Sequence, residues 1–406
     1  MNEPMRIWTN WAGNVRATPC RVERPRSIDA LRQIVAAATR EGLPVRAAGS
    51  GHSFSPLCET GGVLVDLSAI EGIERIDPVS GDAVVLAGTK LHALGEPLLE
   101  AGRALANQGD IDQQAIAGAV STGTHGTGRR HGSFAAQARA VEFVTAEGDL
   151  VEVNASDPER FRAARLSLGL MGVISRVTMS TLPAYRLRER CRAASFDEGL
   201  AAYLEEEPVR RNAEFWWLPA LDACVIKTFD ETSDPIARPE TAEHPPGTLE
   251  RYLKPEAVDW SWRIYPSART TPFVEMEYTL PLAAGPAAVR EVRDLMRRDH
   301  PACTWAVEYR TQPGEDAWLS PTQGADSVTI SVHQAVDQPW EAFFRDAERL
   351  FLGHGGRPHW GKLHYLDPAG VAACYPRLGE FRRVVREFDP AGTFANDHLR
   401  GLGLGC

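Results

Sequence analysis

The feature that most constrains this chain is a pair of small-residue loops, each with one histidine, set among short apolar runs. The first, Gly49-Ser50-Gly51-His52-Ser53-Phe54, follows the apolar run 45–48, and the second spans residues 118–128 and carries His125. Such loops present successive backbone N–H groups with no bulky side chain in front of them, the makeup of an anion-binding nest. Either loop alone is an ordinary tight turn. Two of them, each with an embedded histidine, point to a cradle that closes on a pyrophosphate from two sides. The first loop is near the dinucleotide fingerprint G-x-G-x-x-G but departs from it twice. Phe54 takes the place of the third glycine, and Pro56 stands where a pyrophosphate-capping helix would begin. A standard Rossmann site is not expected. His52 is either a turn residue bonding its own backbone or a nucleophilic imidazole set at a cofactor ring. Spacing does not decide between them.

Up to about Pro183 the chain alternates strand and helix signals, an α/β or α+β pattern. Ser27 opens a helix, with Ile28, Leu31, Ile34, Val35 and Ala38 at helical spacing and Gly42 past its end. Residues 45–48, 63–67 and 84–87 read as short strands, and 91–101 as a second helix. Glu147-Gly148-Asp149 between apolar runs 141–144 and 150–153 predicts a hairpin. No period of ~20–50 residues repeats, which excludes solenoids and propellers. Past Pro183 aromatic residues become denser, as in Phe215-Trp216-Trp217 and Trp260-Ser261-Trp262, and residues 234–246 read as a Pro-rich surface loop. Strands over 273–280, 304–310 and 328–334 alternate with helices over 287–298 and 340–352, a second α+β unit. From Gly355-Gly356-Arg357-Pro358 the Gly/His-rich texture returns, so the C-terminus is expected to rejoin the first unit.

The 54 Asp and Glu outnumber the 44 Lys and Arg, a formal net charge of −10. That argues against a general binder of nucleic acid or anionic membranes. No run approaches ~18 apolar residues, and Met1-Asn2-Glu3-Pro4-Met5-Arg6 has no apolar stretch behind a basic start. Neither a spanning helix nor Sec export is expected. Seven cysteines (Cys20, Cys58, Cys191, Cys224, Cys303, Cys374, Cys406) are scattered and never form Cys-x-x-Cys. Free thiols in a reducing compartment fit that pattern, so a cytoplasmic monomer is expected.

Three runs occur in order: Arg46-Ala47-Ala48-Gly49-Ser50-Gly51-His52-Ser53-Phe54, Ser121-Thr122-Gly123-Thr124-His125-Gly126-Thr127-Gly128 and Arg357-Pro358-His359-Trp360-Gly361-Lys362. Asp389-Pro390 and Asn396 follow them. With that ordered set the chain resembles the vanillyl-alcohol-oxidase-type flavoproteins, most of all their aldonolactone oxidoreductases and alditol oxidases, from about residue 10 to 403. The resemblance implies FAD, held by a two-part domain of N-terminal and C-terminal segments, with a cap domain between them. The expected fold class is α+β, with segments 1–185, 186–354 and 355–406 and a mainly antiparallel cap sheet covered by helices. By the same resemblance FAD is contacted by Ala47, Ala48, Gly49, Ser50, Gly51, His52, Ser53, Gly109, Asp110, Gly118, Ser121, Thr122, Gly123, Thr124, His125, Val173, Ile174, Lys362 and Asn396. His52 matches the family's histidine bonded to the flavin 8α carbon, a link that anchors the cofactor and raises its redox potential.

On the substrate side, period two puts Glu308 and Arg310 on one strand face, with Val307 and Tyr309 on the other. Ser331 and His333 share a face for the same reason. Such a Glu/Arg pair is either an ion pair on a solvated sheet or the acid and cation of a site for a hydroxyl-rich substrate. In the second case His or Glu takes the alcohol proton, and the apolar flanks favour this case. The resemblance places Glu308, Arg310, His333 and Lys362 at the substrate site, where the Lys362 ammonium balances charge on reduced flavin. Asp110 stands where alditol oxidases carry a small hydroxyl residue. That shifts the expected substrate from a linear alditol to an aldono-1,4-lactone, with polyols and nucleoside primary alcohols as alternatives. Gly109 leaves oxygen a path to the flavin, so an oxidase releasing hydrogen peroxide is expected over a dehydrogenase using a quinone or cytochrome. A protein that keeps FAD only structurally is the reading of another class, and the intact set Glu308, Arg310, His333 and Lys362 argues against it. His354, His359 and His364 recur at equal spacing, but Gly355, Gly356 and Pro358 break any helix that would align them. No metal is expected. No Gly-x-Ser-x-Gly, His-Glu-x-x-His or P-loop signature is present, so hydrolase and NTPase readings lack support.

Overall fold

The computed structural model describes residues 7–267 and 270–405. The start, Met1 to Arg6, and Cys406 lie outside the described residues. The Ser27 hydroxyl accepts from the Ala30 N–H and caps the helix Ile28–Arg40, whose Leu31, Val35 and Ala38 are buried. This helix is the crossover that parallel pairing needs. It links Arg21–Glu23 to Val45–Ala48, and Val63–Asp66 runs between these two strands. An antiparallel five-stranded sheet lies beyond, in the order Leu150–Asn154, Ala138–Val144, Val173–Met179, Ala83–Leu86, Ile73–Ile76. Leu150 pairs with Val144 across the expected hairpin. The largest sheet is eight-stranded and antiparallel throughout: Ala257–Trp260, Arg186–Ser195, Ala223–Thr232, Asn212–Leu218, Val307–Gln312, Ser327–Ala335, Phe273–Pro281, Arg357–Pro358.

Local differences from the sequence reading have identifiable causes. The helix expected over 91–101 is a 3-10 turn, Leu91–Leu94, followed by an α-helix, Gly95–Glu100. Pro97 has no N–H to give to the carbonyl four residues back, so the regular ladder starts late. The loop expected over 118–128 begins as the helix Ile116–Thr122, because Ile116, Ala117, Ala119 and Val120 bury one face. Gly123 then ends it in the left-handed region, φ +74, a conformation glycine adopts without a Cβ penalty. Arg357–Pro358 still adds an edge strand to the large sheet before the chain turns back.

Two main cores result. One buries the helix Ile28–Arg40 and the first two sheets together with Val371, Phe381, Val384, Phe394 and Leu399 of the C-terminal segment. The other lies under the large sheet, where Phe215, Trp217, Tyr309, Ile330 and Met276 pack with Val292 and Phe344 from the helices Gly285–Asp299 and Glu341–Gly353. No helix among the described residues is long and apolar enough to cross a membrane. Arg46 ties distant stretches of the first core together. Its guanidinium donates to the carbonyls of Leu57, Leu168, Gly169 and Phe394. Burial lowers its pKa to about 10.

Two outcomes are expected. Arg46→Met strands several buried carbonyls at about 1–3 kcal/mol each, so the urea midpoint falls with the m-value unchanged, a loss of at least ~3 kcal/mol. Burial first, then a titratable or charged neighbour, pushes His364 and His398 down to about 4, against about 6.5 unfolded. The unfolded chain therefore binds more protons between pH 6.5 and 4. Stability drops on acidification through that window, by about 1.4 kcal/mol per pH unit for each histidine. Urea titrations across the window should show a flatter dependence in the His364→Leu/His398→Leu double variant.

Candidate active site

The first loop is pinned from outside by residues 8–15. Trp11 N–H donates to the Gly51 carbonyl at 2.9 Å, Asn10 Nδ2 to Ser53 O at 3.0 Å and Asn14 Nδ2 to Phe54 O at 2.8 Å. Gly51 has φ +66, and a Cβ there would stand 3.2 Å from the Trp8 ring. Only glycine meets both demands. The Trp11 indole stacks on the His52 imidazole with centroids 5.1 Å apart and planes 25° off parallel. Burial first, then the cations Lys362 and Lys90, push the His52 pKa down to about 4, so the ring is a free base at neutral pH.

This loop, the segment 109–125 and the large sheet open on one cavity. Of the residues expected at FAD, its wall includes Ala47, Gly49, Ser50, Gly51, His52, Ser53, Gly109, Asp110, Gly118, Ser121, Thr122, Thr124, His125, Val173, Ile174 and Lys362. Three are not on the wall. Ala48 is buried in its strand, and Gly123 is the helix terminus. Asn396 caps Asp397–Gly401 and donates to the carbonyls of Pro56 and Glu59, so it braces the segment behind the loop. Arg46, Leu168 and Gly169 line the cavity too; Arg46 opens the first motif run but is not among the expected contacts, and no local motif marks Leu168 and Gly169.

The opposite wall is the upper face of the large sheet. Register puts Glu308 opposite Ser331 and Trp216, Arg310 opposite Glu214, His333 opposite Glu275, and Ser331 opposite Glu277. Glu308, Arg310 and His333 therefore share one face, as their spacing requires, and Glu308 and Arg310 are 3% and 6% exposed. A solvated surface pair is ruled out. Arg310 Nη2 lies 2.6 Å from Glu277 Oε2 and 3.1 Å from Glu308 Oε2. Glu277 also accepts from Ser331 Oγ and from His125 Nε2, both at 2.7 Å. Lys362 bonds Glu275, whose other oxygen stands 3.5 Å from His333 Nε2. His333 Nδ1 is 3.0 Å from the Ala306 carbonyl. A carbonyl only accepts, so Nδ1 carries a hydrogen, and Nε2 is the nitrogen turned to Glu275.

These carboxyls differ in charge. Burial works against ionisation of Glu275, yet Lys362 and His333 outweigh it and hold the group below its ordinary range. His125 and Arg310 do the same for buried Glu277. Glu308 goes the other way: burial raises it, and Glu214, Asp110 and Glu275 add to the rise against Arg310. Glu308 is the neutral acid of the set. Asp110 sits on the same wall, 3.8 Å from Lys227 Nζ, which also lies 3.4 Å from both Glu189 and Glu214. Sequence reasoning passes over Glu275 and Glu277, although Val274-Glu275-Met276-Glu277-Tyr278 carries the alternation that singles out Glu308 and Arg310.

His125, Glu277 and His359 bring ligand atoms within 4.8 Å of one another. Glu277 is already held by Arg310, whose charge repels a second cation. His354 is elsewhere, paired with Glu291. The donor set does suit FAD. All the wall's carboxyls lie at the sheet end, and at the other end, lined by residues 45–58 and 168–174, the charged group is the Arg46 cation. That end offers backbone amides and small side chains to an anionic pyrophosphate.

Comparison with known proteins agrees. Residues 243–402 match the family model for D-arabinono-1,4-lactone oxidase, and 19–154 match that for the FAD binding domain. The L-gulono-1,4-lactone dehydrogenase of Mycobacterium tuberculosis is 33% identical over 97% of this chain and 98% of its own length. The alditol oxidase of a Streptomyces species is also 33% identical, with the same coverage of both chains. The crystal structure of cholesterol oxidase from Brevibacterium sterolicum superposes with a TM-score of 0.83 at 17% identity, over 98% of this chain and 96% of that one. The fold is thus the α+β, two-part FAD-binding architecture with an antiparallel cap sheet. The chain belongs to the aldonolactone oxidase and alditol oxidase group of vanillyl-alcohol-oxidase-type flavoproteins, FAD-dependent oxidoreductases that act on CH–OH groups.

Proposed function

We propose that this protein oxidises a hydroxyl-bearing carbon of a sugar-derived substrate, an aldono-1,4-lactone first, with Glu308, Arg310, His333 and Lys362 as catalytic groups and Asp110 among the substrate contacts. The observation that carries the proposal is their convergence, from two strands and one loop, on the cavity that the Gly-rich loops also line. FAD, when bound, supplies hydride acceptance at N5 and passage of the electrons to oxygen. The chain supplies the rest. His333 Nε2 takes the hydroxyl proton, and Glu275 beside it steadies the protonated ring, as a carboxylate steadies a catalytic histidine. Glu308, uncharged, donates a hydrogen bond to a substrate oxygen, and Arg310, fixed by Glu277, donates beside it. Lys362 balances negative charge on the reduced cofactor. The match to the lactone oxidase model over 243–402, the segment that holds Glu275, Glu308 and Lys362, supports a lactone over a linear polyol.

The reading extends to the cofactor and the setting. His52, neutral and on the cavity wall, is the point of covalent attachment to FAD. The chain divides into an FAD segment 1–185, a cap 186–354 and a returning segment 355–406. Cys20, Cys58, Cys191, Cys224, Cys303 and Cys374 are free thiols, in keeping with a cytoplasmic monomer that needs neither membrane nor nucleic acid. Oxygen is the acceptor in this reading, because Gly109 on the wall carries no side chain.

An oxygen-electrode screen of aldonolactones, polyols and nucleosides tests the activity, with peroxide as the co-product. His333→Gln is expected to lower kcat by ~10²–10⁴, the usual weight of a general base, with flavin retained. Glu308→Gln keeps a neutral hydrogen-bond donor and is expected to lose less than about tenfold. The reverse ranking would exchange the two roles. In Gly109→Ala the new Cβ meets the His125 carbonyl oxygen at 3.0 Å. Stopped-flow reoxidation by oxygen is expected to slow at least ~10-fold, while anaerobic reduction by substrate is kept. A wild-type enzyme slow with oxygen but fast with an electron-accepting dye favours instead the dehydrogenase reading that the mycobacterial relative's name suggests.

A further inference from the structure

We propose that Trp11 is a positioning residue for covalent attachment of the flavin to His52, an inference that rests on the reading of His52 as the attachment point. A ring nitrogen's lone pair lies in the plane of the imidazole, so the direction it attacks along is set by the tilt of that plane. Among the described residues no hydrogen bond reaches either nitrogen of His52; the surface against the ring is the Trp11 indole, 5.1 Å away and 25° off parallel. Trp11 is itself fixed at both ends. Its N–H donates to the carbonyl of Gly51, the residue before His52, and its indole meets the Phe273 ring edge-on at 5.3 Å, on the strand that carries Glu275. Phe273 in turn packs on Phe54 at 5.4 Å. The strap thus sets both the backbone entering His52 and the plane of its ring, with the ring edge left open to the cavity.

The attachment balances with groups this reading contains. The imidazole lone pair forms the N–C8α bond as a C8α–H bond breaks. The C8α proton and the imidazole N–H proton are released, the electron pair of the broken C–H bond enters the isoalloxazine, and dioxygen takes up that pair with two protons to leave as hydrogen peroxide. Neutral His52 brings the lone pair without a prior deprotonation. Holding two reacting groups in a near-attack arrangement is worth large factors in rate, and here the indole supplies the arrangement without touching the reacting atoms.

The test follows covalent flavin separately from bound flavin in full-length chains produced without FAD and then supplied with it. Covalent incorporation is read as flavin fluorescence on a denaturing gel, normalised to FAD bound before denaturation. Trp11→Leu and Trp11→Met, two non-aromatic replacements that keep the position apolar, are expected to bind FAD yet incorporate it at least ~10-fold more slowly. Trp11→Phe, which restores a flat ring, is expected to recover most of the rate. Incorporation by either non-aromatic variant at the wild-type rate overturns the role of Trp11. Bound FAD with no gel fluorescence in the wild type overturns the His52 attachment itself, and the positioning role with it.

Discussion

Much of this architecture hangs on one buried cation that pairs with carbonyls instead of a carboxylate. Arg46 lies in the strand leading into the His52 loop, and it gathers the carbonyls of Leu57, Leu168, Gly169 and Phe394. Those positions come from three regions far apart in sequence. Leu168 is a non-glycine residue at φ +54, a strained conformation that persists where its surroundings over-determine it; the guanidinium on its carbonyl is part of that determination. Asn396 works on the same ground from the C-terminal side, through Pro56 and Glu59. The His52 loop is therefore finished only when the segment around Phe394 and Asn396 has docked, which gives a physical reason for an FAD domain in two parts.

The second organising constraint is charge order on the sheet. Packing several carboxyls under one cavity without solvent is costly unless each is paired or stays protonated. The strands solve it by alternation. Glu277 is surrounded by His125, Arg310 and Ser331, and Glu275 is matched by Lys362 and His333, so both stay ionised. Glu308 shares Arg310 with Glu277 and faces like charges on its remaining sides, so its proton stays on. Two acceptors and one donor, distinct at a single pH, come from three residues of the same type. Environments that push titratable groups apart in this way are the usual mark of assigned chemical roles.

The elements legible in the sequence were those set by local pattern. Ser27 announced its helix because a hydroxyl cap and apolar spacing are local signals, and Glu308/Arg310 declared a face because a strand's period is two. The ordered Gly/His runs carried the family, and through it the cavity residues Ala47 and Gly49 to Ser53. What escaped was set by register and by long-range contact. Glu275 and Glu277 matter because of what Ser331 and His333 place opposite them, and strand pairing is not written in either strand alone. Lys227 sits in unremarkable sequence, and Arg46, though it opens the first motif run, finds its partners up to hundreds of positions away. The helix inside 118–128 escaped for another reason: alanine and glycine read as loop until something large packs on them.

The bond from His125 to Glu277 joins these two systems. His125 belongs to the second Gly-rich run, and Glu277 to the sheet that carries Glu308 and Arg310, yet they meet at 2.7 Å with both side chains almost wholly buried. Both nitrogens of His125 lie within hydrogen-bond distance of a partner, the Gly126 carbonyl on one side and Glu277 on the other, so the ring is held on both edges. Glu277 then passes that rigidity to Arg310. A displacement of the cofactor loop is in this way felt at the guanidinium without an intervening flexible side chain. Hydride transfer demands that a substrate carbon and a cofactor atom be held to a fraction of an ångström. In the reading proposed above the cofactor loops belong to one core and the reacting groups to another, and buried polar bonds between the two meet that demand, because apolar packing alone sets no direction.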